Sequence, residues 1–161
     1  MLVGGAGTDT ITGGEGKDVI TGGAGDDQII MTETTAARDI VVFEASATEN
    51  GADTITDFAA GAATTSDVLD VSAFLGADVV FEKVADGATV NTSDLNVLVF
   101  ETAGDITAAT TTWAANQSAV VVNGADVSFV TTNALAEVTI TGVATLTGVD
   151  AYADLVAGNF A

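Results

Sequence analysis

Gly4-Gly5-Ala6-Gly7-Thr8-Asp9-Thr10-Ile11-Thr12, Gly13-Gly14-Glu15-Gly16-Lys17-Asp18-Val19-Ile20-Thr21 and Gly22-Gly23-Ala24-Gly25-Asp26-Asp27-Gln28-Ile29-Ile30 are three consecutive nonapeptides of one pattern, G-G-x-G-x-D-x-U-x, with an aliphatic residue at U. The glycines let the backbone turn through positive φ and bring carbonyls close to a ligand. The Asp adds a hard anionic oxygen. The closing residues, Thr10-Ile11-Thr12 in the first copy, alternate polar and apolar, which makes a very short strand with one inward side chain. One repeat is therefore a turn followed by a strand, and two repeats complete one coil of a flattened solenoid. Turns then stack on every second repeat. Asp9 falls beside Asp27, and Asp18 beside whatever follows on the opposite edge, while Ile11 and Ile29 line one sheet and Ile20 the other.

Facing carboxylates repel unless a divalent cation sits between them. Ca²⁺ accepts six to eight oxygens, backbone carbonyls included, so each repeat supplies half a calcium site. A core one side chain thick is too thin to hold a fold alone, and metal is expected to carry much of the stability. Two other interpretations fit less well. A Gly/Asp-rich flexible linker does not keep an aliphatic at a fixed phase. A threonine-lined solenoid that binds ice is supported by Thr10 and Thr12, but Val19, Gln28 and Ile30 break the ladder.

The three nonapeptides resemble the haemolysin-type (RTX) calcium-binding repeats of proteins exported by bacterial type I secretion. The resemblance implies an all-β fold: a short right-handed parallel β-roll, with metal held between stacked turns by carbonyls of the second and fourth residues and the Asp of one turn, and by carbonyls of the first and third residues and the Asp of the next. Carried onto this chain it implies a complete Ca²⁺ site from Gly5, Gly7, Asp9, Gly22, Ala24 and Asp27. Half sites follow at Gly14, Gly16 and Asp18, and at Gly23, Gly25 and Asp27, with partners further along.

Composition agrees with a cation as partner. Twenty-three acids against three bases give a formal charge of −20, which makes nucleic acid and anionic membrane surfaces poor partners. At 48% hydrophobic the chain has more apolar content than a disordered acidic tail, so it is expected to fold once its charge is compensated. Cysteine, histidine and proline are absent, which removes disulfides, thiol chemistry, the usual general base and the usual zinc ligand. No apolar run approaches the length of a membrane span, and Met1-Leu2-Val3 is not a charged leader followed by an apolar stretch. Those three residues fill the x-U-x slots before Gly4, so the chain reads as opening inside a repeat, as the C-terminal piece of a larger protein.

Nine of the eighteen glycines lie between Gly4 and Gly25. The next nonapeptide, from Met31, has lost its turn residues, yet Asp39 precedes a strand, Ile40-Val41-Val42-Phe43, which reads as a degenerate last coil and closes a β-roll over residues 1–43. Residues 44–75 read as transition strands. Glu44 to Ala52 is a polar loop, Asp53-Thr54-Ile55-Thr56-Asp57-Phe58 a strand, and Asp67-Val68-Leu69-Asp70-Val71-Ser72 its companion. This pair resembles the segment that follows the repeats in RTX exoproteins. Asp53, Asp57, Asp67 and Asp70 either close the end of the roll with a further metal site or are solvated strand-end carboxylates; Glu33, Glu44 and Glu49 read as loop acids.

Residues 76–161 read as an antiparallel β lobe. Asp86-Gly87 and Asn123-Gly124 mark hairpins, Leu95 to Phe100 a strand buried on both faces, and Val138 to Thr141 a half-buried strand. Thr107 to Gln117 is compatible with a helix. Asp150 caps a short C-terminal helix carrying Tyr152, Leu155 and Val156, stopped by Gly158; this stretch is a docking helix, and its character is also similar to an uncleaved type I secretion signal.

The expected function is a calcium-binding module that stays unfolded in a low-calcium cytosol, is threaded out by the type I machinery and folds outside the cell. Low Lys with abundant Ala, Thr, Gly and Asp resembles surface-layer proteins, which implies self-assembly into a lattice at the cell surface; a large adhesin or an exoenzyme would carry the same tail. Within the chain there is no G-x-S-x-G and no H-E-x-x-H, so it is expected not to be an enzyme.

Overall fold

Alternate short strands of the N-terminal half go to opposite sheets in a computed structural model that describes residues 1–44, 46–75, 80–84, 90–91, 97–100, 111–112, 115–135, 137–149 and 154–161. One sheet has the order β1 (Leu2–Ala6), β3 (Val19–Ala24), β5 (Ile40–Val42), β7 (Val68–Asp70). The other begins β2 (Thr10–Thr12), β4 (Gln28–Ile30), β6 (Asp53–Thr56). Every pairing among these seven strands is parallel. The register stacks like on like: Ile11 on Ile29 on Ile55 in one sheet, and Leu2 on Ile20 on Val41 on Leu69 in the other. Ile20, Ile29, Ile55 and Leu69 are fully buried. The middle residue of β2, β4 and β5 is thus aimed inward, because successive side chains of a strand face opposite ways.

Six turns join these strands and alternate between two edges. Turns 1 (residues 4–9), 3 (22–27) and 5 (43–52) share one edge, and turns 2 (13–18), 4 (31–39) and 6 (57–67) the other. In turn 5 the expected polar loop contains a helical turn, α1 (Ala47–Asn50), whose Ser46 hydroxyl accepts from the Glu49 amide.

The C-terminal half extends the second sheet. β14 (Val138–Thr147) pairs parallel with β6, setting Leu146 on Ile55, and then antiparallel with β13 (Asp126–Thr132), which pairs antiparallel with β12 (Ser118–Asn123). The sheet ends with β10 (Val97–Phe100) and β8 (Phe81–Val84), both added in parallel. The antiparallel expectation therefore holds for β12 to β14 and not beyond. β12 is where the direction changes, antiparallel to β13 and parallel to β10, and its Ala119 to Val122 are all buried, as in a strand covered on both faces. The Asn123-Gly124 hairpin is present, with Val122 opposite Val127. Asp86-Gly87 lies outside the described residues; β8 pairs with β10, and β9 (Val90–Asn91) pairs with β11 (Thr111–Thr112), which places strand where part of a helix over 107–117 was compatible with the sequence.

One hydrophobic cluster takes in both halves, from Ile11, Ile20 and Ile29 to Val120, Leu146, Leu155 and Phe160. Phe74, on the helical turn α2 (Ser72–Leu75), stacks between Phe43 at 6.1 Å and Phe129 at 4.5 Å. The core is thus thicker at the C-terminal end of the coils than nonapeptide geometry alone provides. At the C-terminus, Val156 is extended and Ala157–Asn159 form a single 3-10 turn, so the described residues after Asp154 do not continue a helix; residues 150–153 of the expected helix are outside the described ones. Phe160 bridges to Leu69, and the chain end bonds β7 from both sides, Ala161 N to Leu69 O (3.1 Å) and Val71 N to Ala161 O (2.7 Å).

Candidate metal centre

Each edge carries a row of three aspartates built by one repeated hydrogen bond. On the first edge the Asp9 amide donates to Asp27 Oδ1 (2.8 Å) and the Asp27 amide to Asp53 Oδ1 (3.0 Å). On the second the Asp18 amide donates to Asp39 Oδ1 and the Asp39 amide to Asp67 Oδ1, both at 2.9 Å. One oxygen of each acceptor carboxylate is thereby fixed. The other oxygen on Asp27 and Asp39 is buried with no hydrogen-bond partner, as is Asp9 Oδ2. Burying an anionic oxygen without a partner is costly, and native structures offset it with a proton or a cation.

Glycine is required where turn stacks on turn. Gly23 and Gly25 have φ of 106° and 116°, and a Cβ on either would collide with the carbonyl oxygen of Gly5 or Gly7 in the turn below. Gly5, Gly7, Gly14 and Gly16 share the positive φ. The Gly7 amide donates to the Ala24 carbonyl (2.7 Å), leaving that oxygen a second lone pair. At Gly22, Asp27 Oδ2 occupies the space a Cβ would need, and at Gly13 the Oδ2 atoms of Asp39 and Asp18 come within 3.6 and 3.7 Å of that position.

The electrostatics follow from burial without counter-charge. Desolvation pushes Asp53 up to about 7, helped by the charges of Asp27 and Glu44 and opposed by bonds from the Asp27 amide and Asn50. Desolvation likewise pushes Asp39 up to about 6, with Asp67, Glu33 and Asp18 adding repulsion against the Asp18 amide bond. Asp67 is raised by burial, opposed by the Asp39 and Ala59 amides. Burial without counter-charge thus favours the protonated form of Asp39, Asp53 and Asp67.

The aspartates expected from sequence are thus divided by the structure. Asp9, Asp18, Asp27, Asp39, Asp53 and Asp67 stand in the rows. Asp57, at φ 62°, accepts from the Thr32 hydroxyl outside them, in a cleft of about 330 Å³ lined also by Glu33 and Asp67. Asp70 caps Ser72. The three acids read as loop residues lie in turns 4 and 5, and each has a part in how the turns stack or bury charge. Glu33 Oε1 accepts from the Gly16 amide (2.9 Å), the bond that a turn carbonyl makes with Gly7 on the other edge. The Glu49 carbonyl does the same for Gly25 (3.1 Å), and Glu44 Oε2 is buried without a partner. Glu15 clasps turn 4 through the Thr34 hydroxyl and the Thr34 and Thr35 amides, the hydroxyl first among the bonds that hold its carboxyl below the usual range.

Among the described residues no three His, Cys, Asp or Glu side chains gather at one point, so a bound ion would have to draw on backbone carbonyls as well as paired carboxylates. The donor set is entirely hard oxygen. It fits Ca²⁺, which takes carboxylate and carbonyl oxygens in flexible geometry, better than Mg²⁺ or a soft metal.

Residues 1–30 match the family described as RTX calcium-binding nonapeptide repeat (4 copies). These repeats bind Ca²⁺. Neither the curated proteins nor the solved structures gave a match to the chain. Asp39, Asp53 and Asp67 lie beyond the matched residues, so it is the geometry that adds them to the rows.

Proposed function

We propose that this chain, whose first thirty residues carry calcium-binding repeats, is a non-catalytic module of a secreted bacterial protein that folds as a calcium-filled right-handed β-roll outside the cell. One observation carries the proposal: the buried, unpartnered oxygens of Asp9, Asp27 and Asp39 at glycine corners. Gly5, Gly7, Asp9, Gly22, Ala24 and Asp27 hold the ion between turns 1 and 3; Gly14, Gly16, Asp18 and Asp39 begin the site on the opposite edge. Bound Ca²⁺ supplies the positive charge the rows lack. The chain's own residues do the rest: they fix one oxygen of Asp27 and of Asp39 by an amide bond, leave the other without a partner, and exclude water by burial.

Self-repulsion at a formal −20 opposes compaction while calcium is scarce. Ligation occurs in the native state and scarcely in the unfolded one, so calcium drives folding. That switch suits export by type I machinery in an unfolded state followed by folding at the cell surface. Assembly into a surface lattice is the wider setting; the exposed Leu135 (80%), Val138 and Ile140 offer an apolar contact for it. The test is circular dichroism and small-angle scattering with calcium and then with chelator. Calcium-dependent gain of β structure and compaction is expected, and equal order in chelator overturns the proposal.

A further inference from the structure

Turn 5 keeps one motif glycine, Gly51, two residues before Asp53 as Gly25 is before Asp27, and it locks onto turn 3 by the same two bonds with which turn 3 locks onto turn 1. Gly7 N donates to Ala24 O and Asp9 N to Asp27 Oδ1 in the first pair of turns. Gly25 N donates to Glu49 O and Asp27 N to Asp53 Oδ1 in the second. Glu49 O thus stands where Ala24 O stands one coil earlier, and Asp53 where Asp27 stands. The close approach is kept as well, since a Cβ on Gly51 would crowd the Gly25 carbonyl and Asp26 Oδ1.

Two acids differ from the repeat at this level. Asp53 has both oxygens engaged, Oδ1 by the Asp27 amide and Oδ2 by Asn50 Nδ2 at 3.3 Å. Glu44 lies on the other side of the same amide, its backbone N–H donating to Asn50 Oδ1 at 3.4 Å. β5 runs beside β3 with Ile20 opposite Val41 and ends at Val42, so Glu44 opens turn 5 just after that strand. Glu44 Oε2 is buried with no partner, and so is the remaining oxygen of Asp27, a residue only 3% exposed. The charges of Asp27 and Glu44 both act on Asp53, so two acids that each carry an unpartnered oxygen flank that carboxylate.

We propose that Glu44 donates its carboxylate to a second calcium site between turns 3 and 5, with Asp27 Oδ2 and the carbonyls of Gly23, Gly25 and Glu49. This rests on the calcium-binding reading above and extends it past the repeats: a side-chain carboxylate joins the ligands where the nonapeptide pattern breaks down. Such a site carries one carboxylate more than carbonyl ligation from turn 5 would give, which favours a divalent over a monovalent ion.

The test is calorimetric calcium titration of the full chain, its E44Q variant and an E137Q control, with urea unfolding of each in chelator. Glu137 is exposed and lies outside the turns that carry the aspartate rows, so E137Q makes the same charge change without touching the site. The proposal expects E44Q to lose one calcium equivalent, or to bind it at least about tenfold more weakly, while E137Q titrates as the parent does and E44Q is no less stable than the parent in chelator. An E44Q titration identical to the parent's overturns it. So does a loss of stability in chelator equal to that in calcium, which would make Glu44 a packing residue. If the parent itself takes up no calcium, the function proposed above fails with it.

Discussion

Asp27 is the middle rung of the first row, and replacing it with Asn separates calcium ligation from every other part it plays. Asn keeps the shape and the Oδ1 that accepts the Asp9 amide, and the Asp27 backbone still donates to Asp53. What is lost is the charge on a buried oxygen without a partner. On the proposed ligation that oxygen belongs to the sites on both sides of turn 3. A site with a dissociation constant of ~10⁻⁴ M, within the range of extracellular modules, contributes RT ln(1 + [Ca²⁺]/Kd), or about 1.4 kcal/mol at about 1 mM. Loss of two such sites costs about 3 kcal/mol, and for a chain of this size each kcal/mol moves Tm by roughly 2–4 °C, so a drop of about 6–12 °C is expected. In chelator the sign changes: the variant removes one negative charge from between Asp9 and Asp53 and is expected to be as stable as the parent or more so. Thermal unfolding of both proteins in calcium and in chelator reads the difference directly. The reasoning is refuted if D27N lowers Tm equally in the two buffers.

The raised Asp39 and Asp53 set opposite pH slopes for the two forms. In the metal-free chain both hold protons in the folded state that an unfolded carboxylate releases at about pH 4, so their contribution to stability is full below that and is lost as pH rises through about 6 and 7. Calcium competes with those same protons, so calorimetry is expected to show its affinity falling as pH drops from 7 to 5, while urea unfolding in chelator shows stability rising. Ile29→Ala is expected to cost about 2–5 kcal/mol in urea unfolding because Ile29 is fully buried between the sheets, whereas Ile140→Ala, at a side chain 48% exposed, stays within about 0.5 kcal/mol. Asn159 is fully buried, accepts from the Gly61 and Val156 amides and donates to the Asp67 carbonyl (2.8 Å); Asn159→Ala is expected to cost about 1–3 kcal/mol and to speed hydrogen exchange at the Ala161 amide that bonds β7.

The strand-and-turn alternation of the first thirty residues was legible because glycine, Asp and Ile recur at fixed phases. Period nine allows only one stacking of Asp9 on Asp27 and of Ile11 on Ile29. Asp39 was legible for a weaker reason, as an Asp just before an apolar run. Turns 4 and 5 were not, because a hydrogen bond constrains where an acceptor is and not which residue supplies it. Glu33 offers a carboxylate and Glu49 a carbonyl at equivalent places, with no shared spacing to betray them. Asp57 and Asp67 are the two ends of turn 6, and only the folded chain shows that one bonds Thr32 while the other joins the row. Farther on, hairpin dipeptides found β12 to β13 but said nothing of β8, β10 and β12, which run parallel. The usable signal there was the unbroken apolar runs Val97 to Phe100 and Ala119 to Val122, which favour strands covered on both faces.

Anomalous diffraction from crystals grown in calcium interrogates the carboxylate rows at the level of single atoms. The account predicts ion peaks bonded to the second oxygens of Asp9 and Asp27 on one edge and of Asp39 on the other. Refined density that leaves those oxygens holding protons or water at saturating calcium would contradict it.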